Sequence, residues 1–425
     1  MSEVIKKDIK SQSVRNYALG ILVVVYTFNF IDRNILSILL QSIKTDLNLS
    51  DTSLGFLSGF AFAAFYATLG IPIAKYADRG NRRNLISISL AIWSFMTALS
   101  GLAQNFLHLL FARIGVGIGE AGCSPPAHSM ISDYFPANKR STALGIYSLG
   151  IPFGIMFGLF AGGWIDEMFG WRAAFFIVGV PGILIAILFR FTVKEPIRGQ
   201  AEGKVASENQ PTIYETISFL LRKRSFRHLA FAASLAAFVG YGGINWLPSF
   251  FQRSYGMPTS DVGWYLGLIL GLPGGLGIFL GGYLSDYFGS RDVRWSLWVA
   301  AIAMGATAPL YYLVYMSPTA STSLLWLIIP VALGNFYQAA TFSQTQGVVE
   351  LKMRSVAAAI LLFIINIIGL GFGPSAVGIV SDILQSEYGK ESLRYSLLIF
   401  ASLKIWCAFH YYMAGRYLKD DLVTN

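Results

Sequence analysis

Four charges stand inside stretches that are otherwise apolar: Asp32 and Arg33 in 26-YTFNFIDRNILSILL-40, and Arg113 and Glu120 in 111-FARIGVGIGEAGCSPPAHSM-130. A central Asp, Lys or Arg costs about 2.5–3.5 kcal/mol on membrane-insertion scales, so such groups face one another or a wet cavity. Arg113 and Glu120 are two helical turns apart and share a face, whereas the adjacent Asp32 and Arg33 diverge by about 100°. Counted in from the helix ends at ~1.5 Å per residue, Asp32 and Arg33 lie ~12–14 Å deep, Arg113 ~10 Å and Glu120 ~21 Å, so all four can meet. A carboxylate among cations stays ionised; one that loses its Arg partner in a low-dielectric site takes up a proton. The expected chemistry is a proton-coupled switch in which Asp32 and Glu120 exchange partners among Arg33, Arg113 and protons. A fixed ion-pair network joining two helices is the competing reading. His128, eight residues beyond Glu120, is either a packed histidine or a second proton-sensitive group.

The elements that must carry these charges are membrane spans. The chain has 425 residues, 54% hydrophobic and 13% charged, too few polar groups to cover a soluble globule of that size. Apolar windows of about 20 residues recur about twelve times, near 17–41, 53–75, 84–104, 106–132, 140–164, 172–193, 226–251, 261–284, 294–315, 323–349, 354–381 and 392–416. The 43 glycines are scattered through these windows, as suits helices packed closely in lipid. Lys and Arg fall mainly on one side if the N-terminus is inside, among them Lys6, Lys7, Lys10, Arg15, Lys139, Arg140 and Arg222-Lys223-Arg224, which makes both termini cytoplasmic. The net charge of +9 is then a topology signal that also favours anionic headgroups, and nucleic-acid binding is a poor reading. The first apolar stretch is too long for a signal peptide and carries Asp32-Arg33, so it is expected to stay in the mature protein. Cys123 and Cys407 fall within spans and indicate neither a disulfide nor a metal site.

Two loops, 74-AKYADRGNRR-83 and 282-GYLSDYFGSR-291, follow one pattern about 208 residues apart (282 minus 74). They resemble the loop that each half of the major facilitator superfamily carries between its second and third helices, with Ala74 departing from the usual Gly. The resemblance implies an all-α membrane protein with twelve transmembrane helices in two pseudo-symmetric six-helix bundles, 1–193 and 226–425. A cytoplasmic linker, 194–225, joins them, and within it Thr212 and Glu215 fit the capping box of a short amphipathic helix. The loops are expected to gate: Asp78 and Asp286 at helix ends, with Arg79, Arg82, Arg83 and Arg291, would latch the cytoplasmic side. A second repeat, 162-GGWIDEMFGWRAAF-175 and 378-GIVSDILQSEYGKESLRYSL-397, lies on the opposite side; its Asp166, Arg172, Asp382 and Arg394 read as interfacial stops.

In the second half the polar groups are mostly neutral. Asn335, Gln338, Thr341 and Thr345 share a helix face, joined by Asn245 and Asn366. Tyr241, Trp246 and Tyr337 are candidates to hold an alkyl chain, with hydrogen bonding between helices the alternative role for the amides. Lys404 would either attract an anionic headgroup or reach a helix carbonyl.

The run 113-RIGVGIGEAGCSPPAHSMISDYFP-136, continued by KRSTALGIYSLGIPFG, resembles the spinster branch of the superfamily in its bacterial form, as does 30-FIDRNIL-36. This implies a proton-coupled carrier of lysophospholipids or sphingoid lipids, with Asp32, Arg33, Arg113 and Glu120 as the polar centre. Small organic-anion symport and multidrug export are the alternatives. The G-x-G-x-x-G at 117–122 lies within an apolar helix, not after a strand, so it is no dinucleotide site. Ser124 and His128 have no third partner for nucleophilic catalysis, and an enzyme is not expected. The expected partners are substrate, protons and bilayer, with no cofactor or metal and a single chain sufficing.

Overall fold

The computed structural model describes residues 11–198 and 212–423, with the side chains at 78, 137, 138, 141 and 351 outside the description. Lys6, Lys7 and Lys10 of the expected basic set, and 199–211 of the expected linker, lie outside the described residues, as does the side chain of Asp78. The described chain is helical: α1 (Gln12–Leu47), α2 (Asp51–Ser58), α3 (Phe60–Arg79), α4 (Arg82–Ser100), α5 (Phe106–Glu120), α6 (Ser124–Tyr134), α7 (Ala137–Ser148), α8 (Gly150–Phe169) and α9 (Trp171–Thr192) precede α10 (Ile213–Arg222). Then follow α11 (Arg224–Tyr255), α12 (Thr259–Gly289), α13 (Trp295–Met316), α14 (Ala320–Leu333), α15 (Tyr337–Gly347), α16 (Arg354–Ile365), α17 (Gly373–Tyr388) and α18 (Ser392–Asp421).

Short polar residues start these helices, because a side-chain oxygen satisfies an amide that has no partner in the first turn. Ser11, Ser50, Asn81, Asn105 and Thr319 do so for α1, α2, α4, α5 and α14. Thr212 and Glu215 form a reciprocal capping box at α10. α11 ends at Gly256, whose φ of 66° suits a residue without Cβ. Between α16 and α17 the backbone widens into a π-helical turn, Asn366–Phe372.

Ten stretches are long and apolar enough to cross a membrane. The last, Arg354–Asp421, contains α16 to α18, and α4 adds a further helix of 19 residues, giving about ten to twelve crossings. Phe111, Leu184, Phe191, Phe279, Leu325 and Ile383 are exposed, which lipid tolerates and water does not.

By contacts the described residues form two units. Unit 1 comprises those of Met1–Asn48, Ala61–Ala206 and Thr259–Gly267; unit 2 comprises those of Leu49–Phe60, Ser207–Pro258 and Leu268–Asn425. Each unit therefore includes a helix end that lies in the other half of the sequence. Within unit 1, Leu22, Ile35, Trp93, Phe175 and Phe189 are fully buried. Within unit 2, Ala233, Ala236, Met304, Leu361, Cys407 and Tyr411 belong to one core. Lipid tails are as apolar as these side chains, so close packing rather than escape from water holds the helices together. Gly117 and Gly119 of α5 show how: a Cβ at 117 would stand 2.6 Å from the Phe62 carbonyl oxygen, and one at 119 would stand 2.7 Å from the Trp93 nitrogen. Helices α3 and α4 thus meet α5 backbone to backbone, beside Glu120.

Candidate functional site

Unit 1 brings Asp32, Arg33, Arg113 and Glu120 together. Asp32 is 0% exposed, Glu120 1% and Arg113 2%, burial that carries a large cost unless the charges compensate one another. Arg33 Nε donates to Glu120 Oε2 in a close ion pair. Arg113 faces both Glu120 and Asp32, and Glu120 also acts on Asp32. The two carboxylates therefore differ: Glu120 holds a guanidinium directly, while Asp32 has no ion pair at contact distance among the described residues and meets only neutral donors, Trp93 and Thr97. Divergence of the adjacent Asp32 and Arg33 around α1 produces this asymmetry.

The site also contains groups without charge. Arg33 lies over the rings of Tyr66 (4.5 Å), Phe30 (5.1 Å) and Phe62 (5.1 Å), and Arg113 lies 5.4 Å from the Phe62 centroid. Aromatic faces thus share the task of neutralising the two cations. Asn29, fully buried on α1, lies beside Glu120, and Trp93 and Thr97 of α4 lie beside Asp32. Neutral residues in an apolar helix give no signal in sequence, except that Asn29 falls three residues before Asp32 on the same helix face. His128 stays exposed and packs edge-on to Tyr147 at 5.4 Å.

Of the expected gating residues, Arg82 is 1% exposed and anchors the base of unit 1. It pairs closely with Asp133 and donates to Glu195 (2.7 Å), Ser129 (2.8 Å) and the Pro196 carbonyl (2.9 Å). The Arg83 amide donates to the other Glu195 oxygen at 2.7 Å. Arg79 and Asp286 are exposed, and Arg291 donates to Tyr287 (2.8 Å) rather than to Asp286.

In unit 2 the expected cavity residues are largely engaged. The side-chain amides of Asn245 and Asn335 each donate to the carbonyl four residues back, at 2.9 Å, and Gln338 donates to Asn335. These bonds are local, three or four residues apart along α11 and across the turn between α14 and α15, where bonds between helices were the expected alternative. Thr341 meets Tyr411 at 2.9 Å, and Tyr337 lies 6.1 Å from the same ring. Trp246, expected to hold an alkyl chain, is instead fully buried, its indole donating to the Pro374 carbonyl at 2.9 Å. Tyr241 is half-buried, and Asn366 opens the π-helical turn. Lys404 is buried with Nζ 3.7 Å from Met304 Sδ.

The acids read as interfacial stops do more than end helices. In unit 2, Asp382 accepts the Asp51 and Thr52 amides at 3.1 and 2.7 Å, capping α2. Asp51, 0% exposed, takes both Arg253 nitrogens at 2.6 and 2.8 Å and Ser381 at 2.7 Å. In unit 1, Asp166 accepts from Ser42 at 2.6 Å, and Glu167 accepts the Ser260 amide at the start of α12 at 3.0 Å. Arg172 pairs with Asp46, and Arg394 with Glu391. The repeated loop thus brings an acid to a helix N-terminus in each unit, where the helix dipole favours negative charge. Among the described residues no group of three or more His, Cys, Asp and Glu side chains is placed to hold a metal ion.

A polar centre inside one helical unit, carried by a chain with about ten to twelve crossings and a duplicated loop, defines a secondary transporter. The family model of the Major Facilitator Superfamily matches residues 22–374, and the chain belongs to that family. It is similar to an MFS-type efflux pump of Mycolicibacterium smegmatis (strain ATCC 700084 / mc(2)155), 33% identical over 96% of this chain and 94% of that one. It is 28% identical to protein spinster homolog 1 of Xenopus tropicalis, over 94% of this chain and 80% of the relative. Its fold matches the crystal structure of a bacterial homolog of the human lysosomal transporter spinster, inward-facing and unoccupied, with a TM-score of 0.90 and 32% identity over 97% of this chain and 99% of that one. The protein is a spinster-related transporter of the superfamily, a multi-pass membrane protein and not an enzyme.

Proposed function

We propose that this chain is a proton-coupled carrier of an amphiphilic lipid, such as a lysophospholipid or sphingoid lipid, working by alternating access. The observation that carries the reading is Asp32, a fully buried carboxylate without an ion pair at contact distance, beside Glu120, which has a guanidinium of its own. Two neighbouring buried acids, only one of them directly paired, make a site that binds a proton at one acid while the other stays ionised. The relation to spinster supports a lipid substrate. Segments 1–193 and 226–425 are the two moving bundles, joined by 194–225, with the Asp78 and Asp286 loops as gates. One chain suffices, in a bacterial inner membrane with both termini cytoplasmic.

Multidrug export is the second reading, favoured by the name of the mycobacterial relative, an efflux pump; small organic-anion symport is the third. The deciding measurement is proton flux in proteoliposomes on adding a lysophospholipid or sphingoid lipid across a pH gradient. Lipid-dependent flux that disappears in Asp32→Asn is the expected result. Flux that responds only to cationic drugs or to small organic acids would overturn the lipid assignment. Unchanged pH dependence in both Asp32→Asn and Glu120→Gln would overturn the proton role and leave a fixed ion-pair network.

A further inference from the structure

Three buried side chains of α4, Trp93, Ser94 and Thr97, have polar atoms outside full hydrogen-bond geometry, and two of them, Trp93 and Thr97, stand beside one carboxylate. Helical hydroxyls in this chain commonly return their proton to the carbonyl four residues back, as Thr27, Thr68, Ser100, Thr192, Ser234 and Thr345 do. Thr97, 1% exposed, does not: its Oγ1 stands beside Asp32 short of full hydrogen-bond geometry. Indole N–H groups find acceptors at Trp171, Trp246 and Trp298. Trp93 is fully buried, and the acceptor beside its Nε1 is the Asp32 carboxylate, short of full hydrogen-bond geometry. A buried donor without a well-placed acceptor is costly, so two of them on one helix face, four residues apart, call for an explanation.

Their common neighbour is Asp32, whose two oxygens have no ion pair and meet these two donors short of full hydrogen-bond geometry. Gly119 allows α5 to approach the Trp93 backbone, which seats the indole in the polar centre. The charged groups facing Asp32 there are Arg113 and Glu120, both on α5; Arg33, on its own helix, is turned to Glu120. We propose that Trp93 and Thr97 are positioning residues for the proton on Asp32: indole N–H and hydroxyl close onto the carboxylate when it is ionised and release it when it is protonated. The two donors differ in kind. An indole only donates, so Trp93 serves the ionised form alone, whereas the Thr97 hydroxyl turns to accept the proton of the neutral acid. Helix α4 then sets the pH at which the carrier loads.

This inference rests on the reading of Asp32 as the proton carrier, and a substrate-independent test separates the two. Infrared difference spectra of the purified protein in liposomes are recorded against pH, and the protonated-carboxyl stretch lost in Asp32→Asn is assigned to Asp32. Removing a donor to the ionised form raises the pH of half-protonation, so Trp93→Phe and Thr97→Val are each expected to move that midpoint upward by about one to two units. Thr97→Ser, which keeps the hydroxyl and loses the methyl, is expected to titrate as the wild type does; a packing role predicts the reverse order for Ser and Val. An Asp32 band that titrates normally in Trp93→Phe and Thr97→Val overturns this inference alone. Absence of any titrating band lost in Asp32→Asn overturns both it and the proton role from which it starts.

Discussion

At the scale of residues, the polar centre shows how differently charge and neutrality register in a sequence. Asp32, Arg33, Arg113 and Glu120 stand out because each is expensive within an apolar run, and the structure brings them together. Phe62, Tyr66, Asn29, Trp93 and Thr97 complete the same site without standing out, since an apolar helix carries such residues for ordinary packing. Arg82 makes a second contrast. It was legible as a basic residue near a loop, but its partners Asp133 and Glu195 are 51 and 113 residues away and no spacing rule links them. Because this guanidinium is buried and satisfied on several sides, Arg82→Met leaves Asp133 and Glu195 uncompensated and is expected to cost about 3–5 kcal/mol. The check is thermal unfolding in detergent. Arg82→Lys retains the charge but not the fork that reaches both acids, and its unfolding temperature is expected to fall between Met and wild type.

At the scale of elements, helices were readable and the contacts of their ends were not. Windows of apolar residues fall largely on helix, and Thr212 with Glu215 forms the capping box that their spacing suggests. The Thr212 amide and hydroxyl hold the Glu215 carboxyl below its usual range. A depressed folded-state value means that this support for α10 is present above the unfolded value of about 4.3 and is lost as pH falls below it. Hydrogen exchange of peptide 213–222, corrected for intrinsic rate, is expected to lose protection in acid in the wild type and to be insensitive there in Glu215→Gln. The α2 end is a stronger case. Asp382 caps its first amides, and Asp51 is enclosed by Arg253 and Ser381. Asp382→Ala removes a cap worth about 1 kcal/mol, whereas Arg253→Met strands a buried carboxylate at about 3–5 kcal/mol. Exchange in 51–58 is expected to quicken in both variants and far more in Arg253→Met. Sequence spacing concealed this arrangement, because an acid and an arginine at helix ends look alike whether they meet water or another helix.

At the scale of the molecule, the two contact units do not follow the order of the chain: 49–60 belongs with unit 2 and 259–267 with unit 1. The proposed alternation requires such borrowed ends to part and return. A reducible cross-link within unit 1, made by Glu167→Cys with Ser260→Cys, is therefore expected to stop lipid-dependent flux and to restore it on reduction; continued flux in the cross-linked protein would show that this end does not move. The native Cys123 and Cys407 are buried and do not compete. The same borrowing has a consequence during synthesis. The Asp51 amide is separated from its partner Asp382 by 331 residues, and the Asp51 carboxylate from Arg253 by 202. At about 5–20 residues per second a ribosome needs roughly 10–40 s to reach the arginine and roughly 15–65 s to reach the capping acid. Throughout that interval the nascent chain lacks the arginine and the capping acid that enclose this helix end in the finished protein. The first half of the chain is thus synthesised before the residues that cap and neutralise one of its helix ends exist.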